Sequence, residues 1–336
     1  MRSFPKIFIG VLSGGFLFLS GCNNRDENSP YDQVLSQPPF ASLTDSIKKE
    51  PKKDELYFRR AILLNKNNFP EPALADFRKA WSLKKEETYA FGISTLLADK
   101  KPDSAILFLT NAIKKIPKSV LLQLSLAKAY DKQNEPDSAL ITCYNILAID
   151  PNQLDALVLK SDLLEKKNIP DESIAALEKA CSLAPDILDI NYNLAFKYAQ
   201  NKNPKTLSFC DSLIKKDSAA EHAEPYYFKG VYYSNINDQD KAMSFYNQAI
   251  QHDYNFLDAY MDKGELLYDQ KKVNNAFKVF QLAATISPTY AQAYYWMGKC
   301  QESLGQKTEA KLNYERAYGL DKTFTDAKEA ASKIKN

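Results

Sequence analysis

A proline returns through this chain on a fixed beat. Pro70, Pro102, Pro136, Pro170 and Pro204 are spaced by 32, 34, 34 and 34 residues, each between two stretches of apolar residues at helical spacing. Where the prolines stop, Gly230, Gly264 and Gly298 carry the same interval of 34. A period near 34 residues marks a repeat protein, in which each unit buries its apolar face only by stacking on its neighbours. That constraint overrides length. A chain of 336 residues would otherwise suggest two or three domains, but an array grows by adding units and needs no second core.

Aligned on the beat, units start near Asp54, Glu86, Val120, Leu154, Leu188, Ala223, Leu257 and Ala291. Within each, an apolar or aromatic residue falls fourth, then seventh or eighth, then eleventh. A small residue follows at the twentieth position, a bulky one at the twenty-fourth and a small one at the twenty-seventh. The seventh unit reads Tyr260, Gly264, Leu267, Ala276, Phe280, Ala283 and Pro288, and the eighth repeats it as Tyr294, Gly298, Ala310, Tyr314 and Ala317. This is the signature of two antiparallel helices, A and B. Small residues at the eighth and twentieth positions let the helices approach, and the bulky twenty-fourth residue fills the space they leave. Proline at the seventeenth position suits the first turn of helix B, where a missing N–H costs nothing. Proline near the thirty-second (Pro117, Pro151, Pro185, Pro288) ends it. Ten glycines against 18 Phe and 20 Tyr supply helix-compatible backbone and large aromatic knobs.

These residues resemble the tetratricopeptide repeat family over about four fifths of the chain. The resemblance implies an all-α fold, an α/α right-handed superhelical solenoid of about eight helix pairs over residues 54–322. Capping helices are expected at residues 39–53 and 323–336. The pattern is weakest in the second unit, where Gly92 sits one place early, and in the fifth, where a residue is missing after Pro204 and extra ones follow in DSAAEHAEP. Both are expected to be points of altered packing.

The front of the chain reads as processing sequence. Arg2 and Lys6 form a basic start, Ile7 to Leu19 a 13-residue apolar stretch, and Leu19-Ser20-Gly21-Cys22 closes it. At ~1.5 Å rise per residue that stretch falls short of a ~30 Å hydrocarbon core. The closing residues resemble the lipobox of bacterial lipoproteins. The resemblance implies a signal peptide over residues 1–21, lipidation of Cys22, a polar tether over residues 22–38 and attachment to a membrane. An outer-membrane lipoprotein of the bacterial cell envelope is expected, with the periplasmic face and the cell surface both open. Losing Arg2 and Lys6 from the 44 basic residues balances them against 42 acidic ones. That balance argues against nucleic acid, which requires a clustered basic surface.

Little in the chain points to catalysis. His222 and His252 are its two histidines, and neither has a metal-ligand cluster beside it in sequence. Gly-rich phosphate loops, GxSxG elbows and HExxH pairs do not occur. Cys143, Cys181, Cys210 and Cys300 fall on helix positions too far apart for disulfides and are expected as buried thiols. The expectation is a non-enzymatic chain with no cofactor and no metal.

What remains is a groove. The family resemblance places the second, fifth, ninth and twelfth positions of helix A on a concave side. There the C-terminal half supplies Tyr192 and Phe196, then Tyr227 and Val231, then Met261, Glu265 and Tyr268, then Tyr295 and Lys299. Aromatics interspersed with charge are the composition of a recognition surface for a protein or peptide. The alternative is that part of the stripe packs against the adjacent repeat. The family's carboxylate clamp, which needs Lys and Asn at groove positions, is missing: the fifth positions are Phe58, Ala90, Leu124, Val158 and Tyr192. The expected function is a lipid-anchored protein–protein interaction scaffold. A surface lipoprotein binding a glycan or peptide nutrient is the alternative, and homodimerisation through the terminal helices is left open.

Overall fold

Proline at the head of a helix leaves no hydrogen bond unmade, and four of the five beat prolines stand there. Pro70, Pro102, Pro136 and Pro170 are the first residues of their helices. Pro204 stands one place outside, as the residue preceding its helix. It belongs to the fifth unit, where the sequence register breaks.

The computed structural model describes residues 31–217 and 222–334, and among them there are nineteen helices and no strand. The leader, Cys22 and the tether as far as residue 30 lie outside the described residues. The chain divides into two compact units, one up to Tyr89 and one from Ala90 onward. The division falls inside a helix of the second repeat.

In the first unit, α1 (Asp32–Leu35) and α2 (Ala41–Lys49) precede a helix pair, α3 (Asp54–Lys66) and α4 (Pro70–Leu83). The stretch expected as tether thus ends in a helical turn, because Leu35 is buried and its carbonyl accepts from Thr44 Oγ1 at 2.7 Å. Below it lies an ion pair. Arg60 grips Asp76 with two hydrogen bonds, Nε to Oδ2 at 2.6 Å and Nη2 to Oδ1 at 2.8 Å, while Nη1 donates to Thr44 Oγ1 at 2.9 Å. Both charged side chains are buried. Burial holds the Asp76 carboxyl above its ordinary range despite the guanidinium beside it.

The second unit carries α5 (Glu87–Ala98) and α6 (Pro102–Ile113), α7 (Val120–Lys132) and α8 (Pro136–Ile149), α9 (Leu154–Lys166) and α10 (Pro170–Leu183). These are followed by α11 (Leu188–Gln200) and α12 (Lys205–Lys216), α13 (Glu224–Asn235) and α14 (Gln239–His252), and α15 (Leu257–Asp269) and α16 (Val273–Ile286). The last pair is α17 (Ala291–Ser303) and α18 (Lys307–Leu320), closed by α19 (Thr325–Lys333). α5 begins in the first unit and continues into the second.

The small and large positions meet as a lock between helices A and B. A methyl on Gly230 would lie 2.6 Å from the Tyr246 ring, one on Gly264 2.4 Å from Phe280, and one on Gly298 2.7 Å from Tyr314. All three aromatics are buried. No Cβ fits at those distances, so glycine is required there by close approach and not by backbone freedom.

The turn from helix A to helix B has its own rule. Asn68, Asn134, Asn168, Lys202, Asn237, Lys271 and Gly305 all hold a positive φ, between 56° and 77°. Each is the fifteenth residue of its repeat. The residue after a helix end often enters the left-handed region to release the next segment, and Asn and Gly enter it most readily. Lysine is a poor choice. Replacing Lys271 by Gly is expected to stabilise the chain by about 1 kcal/mol, measured as a rise in urea midpoint with unchanged slope. The reverse turn, from helix B to the next helix A, is tied by Asp150, Asp253 and Asp321, whose carboxylates accept from backbone N–H groups two residues on at 3.0, 2.8 and 2.8 Å.

Candidate functional site

The side chains expected to line a groove separate into two neighbouring clusters of the second unit. Tyr192 and Phe196 on α11 pack with Tyr227 and Val231 on α13. The Phe196 ring lies 6.4 Å from Tyr227 at an interplanar angle of 21°, and Tyr192 meets Phe228 edge-on at 6.0 Å. Met261 and Tyr268 on α15 and Tyr295 on α17 belong to the next cluster. There the Lys299 ammonium stands 4.0 Å over the Trp296 ring centroid, 5.6 Å from that of Tyr268 and 5.8 Å from that of Tyr295.

Exposure divides the expected residues. Tyr227 and Val231 are 8% exposed and Met261 4%, which leaves a ligand little to touch. Tyr227 is enclosed by Phe256 at 5.2 Å and Tyr246 at 6.0 Å. These three pack between repeats, because the fifth position (Tyr227, Met261) and the ninth (Val231) of helix A also meet neighbouring repeats. Tyr192, Phe196, Glu265, Tyr268, Tyr295 and Lys299 are half-buried and keep surface. Cys22 lies outside the described residues.

Two carboxylates on α15 give this region its electrostatic character. Burial pushes Asp262 up to about 6, although the Tyr227 hydroxyl donates to it, and the charge of Asp258 adds to the rise while Tyr246 also donates. Glu265, one turn on, is pushed up to about 7 by burial and by the charge of Asp262, with Asp269 adding and with Lys299 and the Trp296 indole N–H pulling the other way. The Tyr227 hydroxyl is raised in turn, by burial first and then by Asp262 and Asp258.

Both folded-state values exceed those of an unfolded carboxyl, so between about pH 4 and pH 7 the folded chain binds more protons than the unfolded one. The stability these groups contribute is complete below about pH 4 and is lost as pH rises through their folded values. A chain carrying Asp262→Asn and Glu265→Gln is therefore expected to match the parent near pH 4.5 and to exceed it at pH 8. After solvent screening the gain is about 1–2 kcal/mol, read from urea unfolding at the two pH values.

The tetratricopeptide repeat description matches residues 96–163 and, as single repeats, residues 154–187, 223–255, 257–290 and 291–324. Together the matches cover more than half of the sequence. This chain belongs to the tetratricopeptide repeat family. A crystal structure of a tetratricopeptide repeat protein from Parabacteroides merdae shares its fold at a TM-score of 0.55 with 14% identity, over 83% of this chain and 97% of that one. Two curated relatives match shorter stretches. Tetratricopeptide repeat protein 14 of Mus musculus is 32% identical over 144 residues, 40% of this chain, and Protein O-mannosyl-transferase TMTC1 of Homo sapiens is 26% identical over 150 residues, 43% of this chain. The chain spans under a fifth of the length of either, 18% and 17%.

In this tetratricopeptide array several site residues escape a reading by position alone. Trp296 stands where the repeat assigns packing, and it does pack, stacked on Phe280 at 5.4 Å and 15°; its other neighbours are Lys299 and Glu265. Tyr246 likewise stands at the bulky twenty-fourth position, where packing is expected, and Asp262 at a position the repeat leaves unassigned. A carboxylate beside the apolar positions of helix A, one repeat after a tyrosine, is the signal that could have found them. Lys197 is another: its buried ammonium lies 3.8 Å from Asp162 and 3.6 Å from Glu165, the ninth and twelfth residues of the preceding repeat. Cys143, Cys181, Cys210 and Cys300 are free and buried, their thiols pushed up by burial to about 12, 11, 12 and 12. Such thiols are poor nucleophiles. Among the described residues no group of three His, Cys, Asp or Glu side chains is placed to hold a metal ion, and no helix is long and apolar enough to cross a membrane.

Proposed function

We propose that the chain is a lipid-anchored adaptor of the bacterial outer membrane, held by acylated Cys22, that binds a protein or peptide segment along repeats five to eight and performs no catalysis of its own. Tetratricopeptide repeats are scaffolds for protein–protein contact, and this array is of that kind. The observation that carries the finer reading is the half-buried row of Tyr192, Phe196, Tyr268 and Tyr295 with Glu265 and Lys299 among them. Rigid aromatics with a polar edge and adjacent charge favour recognition. For the anchor, the support is the Leu19-Ser20-Gly21-Cys22 sequence. Several acyl chains at ~0.8 kcal/mol per buried methylene would make it durable.

The test places a photo-reactive residue at Tyr268, which keeps surface where Tyr227 does not, and crosslinks in intact cell envelopes. One recurrent crosslinked protein, lost when Tyr295 is replaced by Ala, is the expected result. Crosslinks to the chain itself alone would overturn the adaptor reading. Labelling of the parent chain, but not of Cys22→Ala, by a clickable fatty acid checks the anchor separately.

A further inference from the structure

Two acidic pairs on the array are treated differently. In the fourth repeat Asp162 and Glu165 face Lys197, an ammonium supplied by the next helix A and buried between them. In the seventh repeat Glu265 stands at the place of Asp162 and takes the Trp296 indole N–H of the eighth, where the place that Lys197 fills is occupied by Cys300, while Asp262, three residues earlier, takes the hydroxyls of Tyr227 and Tyr246 of the sixth. The adjacent Lys299 turns its ammonium onto the rings of Trp296, Tyr268 and Tyr295. Asp262 is left to two tyrosine hydroxyls, and Glu265 has the Trp296 indole N–H and the charge of Lys299 against the negative charges of Asp262 and Asp269. Neutral donors and one ammonium shared with three rings do not balance three neighbouring carboxylates.

The same place also carries evidence of what it holds. Three aromatic faces gathered around one ammonium, with a carboxylate beside them, form a cage for a cation, since ring quadrupoles attract positive charge and more strongly once water is excluded. The cage is filled by a lysine of the chain on a flexible four-carbon stem, and a stem of that kind exchanges readily.

We propose that the groove between the seventh and eighth repeats docks a protein segment that presents a lysine or arginine, its cation taken by Glu265 and the Tyr268, Tyr295 and Trp296 rings in place of Lys299. The inference rests on the adaptor reading and gives its partner a charge. Lys299 acts as an internal competitor that keeps the cage closed to weak cations, and the excess negative charge of Glu265, Asp262 and Asp269 supplies the preference for a positive guest. Acidic and neutral segments gain nothing from this arrangement.

The experiment pans a phage library of random 12-residue peptides against the full chain in detergent. Enriched peptides are then resynthesised with a fluorophore, and each is paired with a version in which lysine or arginine becomes norleucine. Anisotropy titrations at pH 8 compare the parent chain with Glu265→Gln, Lys299→Met and Tyr268→Ala, each checked for folding by circular dichroism. Enriched peptides should share a basic residue. Norleucine or Glu265→Gln should weaken binding about tenfold or more, and Lys299→Met should strengthen it several-fold. Opposite signs at Glu265 and Lys299 are a result that mere loss of structure would not give. Peptides that need Tyr268 but lack basic residues, or that ignore Glu265→Gln, would overturn the cation preference and leave the adaptor reading standing. Enrichment of no peptide that depends on Tyr268 would overturn both.

Discussion

Replacing Asp76 by Ala is expected to cost about 3–5 kcal/mol, as much as truncating a buried core residue. The reason is the partner left behind. Arg60 would keep a buried guanidinium with one neutral contact, Thr44 Oγ1, and an arginine cannot shed its charge to escape. Exchanging both partners for Leu removes the charge altogether and is expected to be close to neutral. Urea unfolding followed by circular dichroism distinguishes the cases: a large loss in the single variant with recovery in the double identifies an ion pair whose breaking is costly. Equal losses in both would mean that the pair's shape, and not its charge, holds α3 and α4 together.

Phe280→Ala is expected to do comparable damage in the second unit, about 3–5 kcal/mol. Phe280 is fully buried, its ring closes on Gly264, and Trp296 of the next repeat stacks on its face. Truncation opens a cavity on both sides of a repeat boundary. Because an array is stabilised by nearest-neighbour contacts, the loss should be local, and the last two repeats with α19 should open before the rest. In a Trp81→Phe background the fluorescence of Trp296 should then unfold at lower urea than the far-ultraviolet signal. Coincident transitions would show that cooperativity spans the damage.

Most of the fold could be read from the sequence because the beat records contacts that recur. The small eighth and bulky twenty-fourth residues are chemically conspicuous, and proline marks the head of helix B in four repeats. What occurs once leaves no periodic trace. Arg60 and Asp76, sixteen residues apart, break the apolar pattern of a single repeat, and only their opposite signs hint at a pair. The left-handed turn was visible in retrospect as Asn68, Asn134, Asn168 and Asn237, but Lys202 and Lys271 hide the rule behind a residue with no preference for that conformation. The site was half legible. A position on helix A fixes which side a residue faces but not how deep it lies, and depth is set by which side chains of helix B and the following turn close over it. Phe256 and Tyr246 bury Tyr227, while Tyr268 and Tyr295 keep surface.

The lock between helices A and B also bears on how such a chain can change over time. Gly230 sits with Tyr246, Gly264 with Phe280 and Gly298 with Tyr314, while the same two positions hold Ala127 and Cys143 in the third repeat and Ser161 and Leu177 in the fourth. Helix spacing is thus encoded by a combined volume, to which neither residue alone commits the repeat. The first repeat holds Ala61 with Phe77, so ring size alone does not exclude a Cβ; at Gly264, where a Cβ would lie 2.4 Å from Phe280, a lineage drifting from Gly–Phe to Ser–Leu must shift the ring or the helices as the glycine grows. Either order passes through a loosened intermediate. Surplus stability elsewhere in the array would decide which lineages survive that crossing.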